Sequence, residues 1–399
     1  MGARGKALRR RWMTDWMKVT EADDSIRLGF IPLLDAAPLI LAQEAGFFAE
    51  EGLEVSLHRQ PSWSSLRDRV GVGMLDGAQM LGPMALAINM GLGAPPCPVI
   101  SPMVLSRNGN AITARRALYE QLAATGFDLS DPSEAAHALA RVAAASHEPI
   151  RLGIVYAWST HYLQLLDWLA SAGLSPGPGL ELVTVPPPEM MTALAYGSVD
   201  LACVGEPWNS LMEYHGLGQI LATGCQVWQN APEKVLGIRR DWGQANPEKL
   251  RALMRALIRC CRWLDDPVNC DLVHRILVHP HYLGSSIEPL GDQGECLFHP
   301  RVQQHFFRQS ANFPWLSQAE WLLSRMRLRN QGDQLLETPD LDSIFRPDLY
   351  REVAESLGLD APVMDYKDEG EHRQPFVVEG VRGEVEVASD ALIASVGRD

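Results

Sequence analysis

The sequence lacks the short motifs that mark most catalytic centres. It contains no H-E-x-x-H metal-binding helix, no phosphate-binding loop and no nucleophile elbow. Gly71 and Gly73 do not form a dinucleotide-binding loop, and no pair of carboxylates has a recognisable spacing for acid–base work. We therefore expect a protein that is not an enzyme.

Cysteine is scarce, and acidic residues outnumber basic ones. The 399 residues include seven cysteines, none in a Cys-x-x-Cys pair or at zinc-like spacing from histidine, so we expect reduced, mostly buried thiols. The formal net charge of −14 argues against general nucleic-acid binding, because phosphate contacts need a surplus of Lys and Arg on one face. A small anion is not excluded, since helix N-termini and one or two cations can make a pocket locally positive.

Long hydrophobic runs are missing as well. Without an apolar stretch of about 18 residues, the sequence predicts no membrane-spanning helix. The N-terminus is basic, but residues 13–24 hold neither an apolar run of signal-peptide length nor a small-residue cleavage site. We expect residues 1–25 to be a disordered leader, or else an arm that binds a partner, and we expect a cytoplasmic protein.

What the sequence does have, from Ile26 to about Gly224, is an alternation of strand and helix patterns. Such alternation predicts parallel sheets with helical crossovers. Three features recur 124 residues further along the chain: Arg27-Leu-Gly and Arg151-Leu-Gly, Gly73-x-x-Asp76-x-Ala and Gly197-x-x-Asp200-x-Ala, and Pro83 and Pro207. The constant offset predicts two similar α/β lobes.

The lobes are expected to be discontinuous in sequence. We assign residues 26–105 plus 237–359 to the first lobe and 106–236 to the second, with a linker near 106–110. Residues 360–399 form a C-terminal extension that the sequence does not place.

Candidate ligand-binding residues lie beyond the predicted strand ends, where helix N-termini meet in α/β proteins. Trp63 has an indole N–H to donate and His161 falls in the first turn of a helix, although either could equally be a packed core side chain. Lys234 lies beside the return to the first lobe and is either a cleft cation or an ordinary surface lysine. Glu206 is interpreted as a helix N-terminal acid, or as a bridge between the lobes.

Several sequence blocks resemble the substrate-binding proteins of nitrate and bicarbonate transporters. They are residues 27–38, 42–48, 52–55, 61–63, 76–84, 185–188, 203–208 and 232–234, in matching order and spacing. The resemblance covers about residues 26–265. It implies a two-lobed, hinged α/β fold of the periplasmic-binding-protein type II class, with a ligand cleft between the lobes.

The same resemblance implies which residues line the pocket and what they bind. Trp63, His161, Pro187 and Lys234 match its lining, and Asn110 stands where the family carries Gln. A cation at the Lys234 position suits nitrate or nitrite, whereas a carboxylate there goes with bicarbonate and calcium. We therefore expect nitrate or nitrite as ligand, with no metal and no cofactor.

Without a secretion signal, the chain looks like the cytoplasmic nitrate/nitrite sensors of assimilatory nitrate operons. That resemblance implies an RNA-binding antiterminator protein as partner, held inactive by the sensor and released when the anion binds. One alternative is an exported substrate-binding protein of a nitrate, bicarbonate or sulfonate ABC transporter. A more distant alternative is an enzyme of the pyrimidine- or sulfonate-processing type that shares the fold.

Overall fold

The computed structural model describes residues 25–284, 287, 290, 301–329 and 339–393. Apart from Ser25, the predicted leader lies outside these ranges. Two α/β lobes account for most of the described chain, each built on its own twisted sheet. The α/β two-lobed fold predicted from the sequence is confirmed.

The first lobe is built on a sheet in the order β2-β1-β3-β11-β4, and β5 also pairs with β11. Its strands are β1 Ile26–Phe30, β2 Val55–Arg59, β3 Gly77–Leu81, β4 Val99–Ile100, β5 Val104–Arg107 and β11 Pro232–Arg239. Its helices are α1 Ala37–Glu44, α2 Phe47–Glu50, α3 Trp63–Gly71, α4 Gly82–Asn89, α11 Arg240–Ala245, α12 Pro247–Leu264, α13 Cys270–Leu277, α14 Leu316–Arg329 and α15 Pro347–Ser356. The first three strands are parallel and β11 runs antiparallel to β3.

The second lobe repeats this plan around the sheet β10-β6-β9-β7-β8. Its strands are β6 Asn110–Arg115, β7 Ile150–Ile154, β8 Leu180–Thr184, β9 Leu201–Gly205 and β10 Gly218–Thr223. Its helices are α5 Arg116–Ala123, α6 Pro132–Ala145, α7 Thr160–Ser171, α8 Pro187–Ala195, α9 Trp208–Tyr214 and α10 Gly224–Val227. Here β6 takes the place that β11 holds in the first lobe, antiparallel to the third strand.

The 124-residue repeat is visible as matching ion pairs in the two lobes. Arg27 and Asp76 join the first and third strands of one sheet, with Nη2 2.6 Å from Oδ1. Arg151 and Asp200 do the same in the other, with Nε 3.1 Å from Oδ2. In both lobes the aspartate also accepts from the backbone N–H of its arginine, which ties the two strands at the same level.

The chain crosses between lobes twice, after β5 and before β11. Sheet membership puts these crossings at residues 108–109 and 224–231, a few residues from the limits predicted at 105/106 and 236/237. Asn108 and Asn230 both have positive φ at the crossings, and the Asn108 N–H donates to the Ala231 carbonyl. The two crossing segments therefore lie side by side.

The C-terminal extension packs against the first lobe and reaches the second crossing. After a hairpin of β12 Phe376–Glu379 and β13 Glu384–Val387, its backbone pairs with the segment 227–230. The Gln229 N–H donates to Ala391 at 2.9 Å, and the Ile393 N–H donates to Val227 at 2.8 Å. The end of the described chain thus lies along the crossing, not free in solvent.

Two further findings concern helices and cysteines. Among the described residues, no helix has both the length and the apolar character that crossing a bilayer requires. Of the cysteines within the described ranges, five are free thiols: Cys97, Cys203, Cys225, Cys260 and Cys261. Cys270 is disulfide-bonded, so the expectation of uniformly reduced thiols is wrong for this residue.

Candidate functional site

The candidate site lies where the two lobes meet, at the carboxyl ends of their parallel strands. Trp63 is the first residue of α3, and Lys234 lies near the start of β11, so both come from the first lobe. His161 comes from the first turn of α7 and Asn110 from the start of β6, in the second lobe. All four side chains are buried.

Lys234 is the central cation of this cluster, and it is fully buried. Its Nζ lies 2.6 Å from Asp35 Oδ2 and 2.8 Å from Glu233 Oε1, and all three side chains are 0% exposed. Burial alone lowers the pKa of a lysine, but the two carboxylates overcome this and raise the pKa of Lys234 above its ordinary value. The ammonium therefore stays charged, and the surface-lysine alternative is ruled out.

Glu233 joins the lobes through two hydrogen bonds, in addition to its contact with Lys234. Its Oε1 also lies 2.6 Å from His161 Nδ1, and its Oε2 accepts from Asn110 Nδ2 at 3.0 Å. Burial raises the pKa of Glu233, but Lys234 and His161 bring it down to about 2. A permanently ionised carboxylate thus ties β11 of the first lobe to α7 and β6 of the second.

Asp35, in the turn after β1, holds the other side of the lysine. Its Oδ1 accepts a hydrogen bond from Gln79 Nε2, while Gln79 Oε1 accepts from the Ile31 N–H at 3.0 Å. Burial raises the pKa of Asp35. Because both of its oxygens face donors, the geometry nevertheless assigns it as a carboxylate at neutral pH.

Two ring nitrogens at this site have no hydrogen-bond partner among the described residues. They are Trp63 Nε1 and His161 Nε2, on side chains that are 0% and 1% exposed. The Lys234 Nζ lies 5.5 Å from the centre of the Trp63 indole ring, and it shares a carboxylate oxygen with His161. A buried, unpaired polar group costs about 1–3 kcal/mol, so this arrangement favours an acceptor-rich ligand beside the lysine.

Glu206 follows β9 and precedes a cis peptide bond to Pro207. It bridges the lobes through its backbone, because its carbonyl accepts from the Leu34 N–H at 2.8 Å. Its side chain caps its own helix, with Oε2 3.3 Å from the Ser210 nitrogen. Burial raises the pKa of this carboxyl to about 7. The predicted bridge thus exists, but the side chain does not make it.

Pro187 is less directly connected to the cluster. It opens α8 and is buried, at the position in the second lobe that matches Trp63 in the first. The hydrogen bonds and ion pairs of the cluster do not include it, so its pocket role stays a prediction.

Sequence reasoning missed Asp35, Glu233 and Gln79 as site residues. A signal for the carboxylates was present, because a lysine proposed to be buried needs a counter-charge. Glu233 is its immediate neighbour in sequence, but adjacent strand residues normally face opposite sides. The pairing of β11 with β5 is irregular on both sides of Lys234, and here both side chains reach the cluster.

Further contacts hold the lobes together around the cluster. Thr160 Oγ1 donates to the Pro232 carbonyl at 2.8 Å, and Arg67 Nη1 donates to Tyr156 Oη at 3.2 Å. Ser159 caps α7 by accepting from the Tyr162 N–H at 3.2 Å. With the cluster inaccessible to solvent, a ligand has to enter by separation of the lobes.

Known proteins similar to this chain include components of anion transporters. It is 35% identical over 370 residues to the nitrate import ATP-binding protein NrtC of Synechocystis, and 37% identical over 350 residues to the bicarbonate transport ATP-binding protein CmpC of the same organism. These matches take in 90% and 84% of this chain, but the chain spans only about half the length of either relative.

The nitrate/nitrite binding protein NrtA of Synechococcus elongatus is a relative of more equal length. The chain is 32% identical to it over 360 residues, covering 85% of this chain and 80% of NrtA. The crystal structure of the periplasmic nitrate-binding protein NrtA from Synechocystis superposes with a TM-score of 0.74 at 29% identity, covering 84% of this chain and 89% of that one.

A more distant neighbour shows the fold alone. The alkanesulfonate-binding protein SsuA of Xanthomonas axonopodis has a TM-score of 0.55 at 15% identity, over 82% of this chain and 97% of SsuA. The sequence profile of the NMT1-like family matches residues 20–278, more than half of the chain. With its two-lobed fold and its homology to NrtA, this chain belongs to the NMT1-like family.

Proposed function

We propose that the chain binds nitrate or nitrite by closing its two lobes over the cluster of Trp63, His161 and Lys234. The observation that carries the proposal is the pair of buried ring nitrogens, Trp63 Nε1 and His161 Nε2, that have no partner among the described residues. They come from different lobes and lie beside a buried ammonium group. The homology to proteins named for nitrate binding supports the same ligand.

The chemistry of the cluster suits a small oxyanion that only accepts hydrogen bonds. Lys234 supplies the charge, and the two rings supply directed donors from opposite sides. Charge-assisted hydrogen bonds of this kind are worth roughly 1.5–3 kcal/mol each. In this proposal Trp63, His161 and Lys234 serve to bind the anion and not to change it chemically.

Lobe closure is the step that the anion controls. An anion that contacts both lobes stabilises the closed form relative to the open one, by the difference in its affinity for the two. The closed form brings the two lobes together over the cluster. Binding of the ligand therefore changes the outer surface that the two lobes present together.

Two uses of that change are candidates. In the first, the chain delivers its anion to a membrane permease, as a substrate-binding protein of an ABC transporter. The relatives named as transport components support this use, and the disulfide at Cys270 supports an oxidising compartment.

In the second, the chain is a cytoplasmic sensor that releases an RNA-binding antiterminator when nitrate or nitrite binds. Its support is that the chain is 35% identical to half of NrtC but 31% identical to NrtA from the same organism. We take this likeness to part of an ATP-binding protein as the reason to keep the sensor as a candidate.

Cell fractionation separates these uses. The transport role requires the protein outside the cytoplasmic membrane, whereas the sensor role requires it in the cytoplasmic fraction, where a protein partner should dissociate on addition of nitrate. Recovery of the protein outside the cytoplasm would exclude the sensor.

Anion binding itself is tested by calorimetric titration with nitrate, nitrite, bicarbonate and an alkanesulfonate. We expect nitrate or nitrite to bind, and Trp63→Phe to weaken binding roughly tenfold or more, because it removes one donor and keeps the ring. Trp228→Phe is the matched control, since Trp228 is equally buried and its Nε1 also has no partner among the described residues, but its ring packs against Trp321 at a tilt of 36°. Equal losses in the two variants, or binding of bicarbonate alone, would contradict the proposed pocket.

A further inference from the structure

The hydrogen bond between His161 and Glu233 fixes which ring nitrogen of His161 carries a proton. Nδ1 lies 2.6 Å from Glu233 Oε1, and that oxygen belongs to an ionised carboxylate that can only accept. Nδ1 must therefore be protonated. In a neutral imidazole the second nitrogen, Nε2, then bears a lone pair and no hydrogen.

Nε2 is the nitrogen of His161 that is proposed to contact the ligand. Nε2 is buried and has no partner among the described residues. Nitrate and nitrite carry acceptor atoms only, so the Nε2 lone pair of neutral His161 would face a lone pair of the anion and repel it. Only the imidazolium form presents an N–H to them at Nε2.

The charge of the cluster leads to the same conclusion. Asp35 and Glu233 contribute two negative charges and Lys234 one positive charge, all on fully buried side chains. With neutral His161 the cluster already carries one negative charge, and an anion would add a second. Burying unbalanced charge is costly, and a proton taken up with the anion offsets the added charge.

Other groups near His161 do not supply that proton. Cys203 Sγ donates to the His161 carbonyl at 3.2 Å, and burial raises the pKa of this thiol, so it stays neutral. Asn110 faces Glu233 but does not titrate. Burial raises the pKa of the Glu206 carboxyl, at the lobe interface, to about 7, so the experiment requires a control at this residue.

We propose that Glu233 couples anion binding to proton uptake. By accepting the hydrogen of Nδ1, Glu233 leaves Nε2 of the neutral His161 ring without one, so His161 can bind nitrate or nitrite only as imidazolium. Glu233 acts as a positioning residue and not as a ligand. Bicarbonate has an O–H of its own and can donate it to neutral Nε2, so the same contact distinguishes proton-bearing from proton-free oxyanions. This inference rests on the proposed anion-binding function.

The experiment is titration of the full chain with potassium nitrate in several cationic buffers of different ionisation enthalpy, such as bis-Tris, imidazole and Tris chloride. Sulfonate buffers are avoided because they are candidate ligands. We expect the observed heat to vary with buffer, giving uptake that approaches one proton per anion at alkaline pH. Affinity should fall by up to tenfold per pH unit at alkaline pH, because the anion then binds together with a proton.

Glu233→Gln is the diagnostic variant. A glutamine can either donate to or accept from Nδ1, so neutral His161 is free to place its hydrogen on Nε2. We expect this variant to bind nitrate with little proton uptake and a flat pH profile, which loss of packing alone would not produce. Glu206→Gln should keep the uptake of the parent.

A second measurement uses the unmodified protein. Ring ¹⁵N NMR at pH 8 should show Nε2 of His161 gaining a hydrogen when nitrate is added, with the signal assigned by its loss in His161→Gln. Nitrate binding with no proton uptake at any pH, or with uptake unchanged in Glu233→Gln, would overturn the coupling and leave the anion-binding function standing. Failure of nitrate and nitrite to bind between pH 5.5 and 8.5 would overturn the proposed function itself.

Discussion

At the scale of single residues, Glu206 couples the stability of the fold to pH. Its carboxyl is buried, and its pKa is about 7 in the folded chain against an ordinary value of 4.5. A carboxyl whose pKa rises on folding favours the folded state while it is protonated. That contribution is complete below about pH 4.5 and is lost as the pH rises through about 7.

Replacing Glu206 with Gln should therefore stabilise the protein increasingly from pH 5 to pH 8. The expected gain at pH 8 is about 3 kcal/mol at most, since each tenfold change in proton affinity is worth about 1.4 kcal/mol. Urea unfolding of parent and variant across this range measures the difference. Glu181→Gln, on an exposed position of β8, serves as the control and should show no trend. A pH-independent difference for Glu206→Gln would mean that its carboxyl does not titrate in this range.

Single residues also show where sequence reasoning stops. Lys234 and Trp63 stand in blocks that resemble a family, and His161 is recognised from its place in the first turn of a helix that follows a predicted strand. Their assembly depends on Asp35, which the fold brings in from the turn after β1, and on the local irregularity that lets Glu233 reach the same cluster. Neither the contribution of Asp35 nor the irregular strand pairing produces a periodic pattern in the sequence.

At the scale of elements, local signals predicted well and long-range pairing did not. The sequence predicts helices at 132–145 and 247–264 and a strand at 77–81. Both helices have these limits in the structure, because each has a proline in its first turn and regular apolar spacing. The strand at 77–81 also agrees. By contrast, β11 begins at Pro232, earlier than the return to the first lobe predicted at residue 237. Its start is set by pairing with β3 and β5, which lie far away in sequence.

The hairpin of β12 and β13 illustrates the same limit. It lies in the C-terminal extension that the sequence could not place, and its setting depends on contacts with distant segments. The buried ammonium of Lys367, for example, lies 2.6 Å from Glu369 and also pairs with Asp390. Such pairs become predictable only when the fold of the preceding 350 residues is known.

At the scale of the whole molecule, the buried cluster implies a movement. Because Trp63, His161 and Lys234 are inaccessible between the lobes, exchange of a ligand requires the lobes to separate about the crossings at 108–109 and 224–231. We expect small-angle X-ray scattering to show a smaller radius of gyration with saturating nitrate than without it. Chloride at the same ionic strength is the control. A radius unchanged by nitrate, under conditions where calorimetry shows binding, would mean that ligand exchange does not depend on lobe separation.

The 124-residue repeat extends into the site. Lys234 lies opposite Leu81 in β3, and Asn110 lies opposite Gly205 in β9, so the two occupy equivalent positions in the two halves. A half-length ancestor that paired with a copy of itself would have carried the same residue at both. A single chain that holds both halves is free of that constraint, and here it carries a cation on one face of the cleft and an amide on the other. One half can therefore supply the charge while the other closes over the ligand. A symmetric dimer cannot reach this difference by mutation of a single gene, because every substitution appears in both copies.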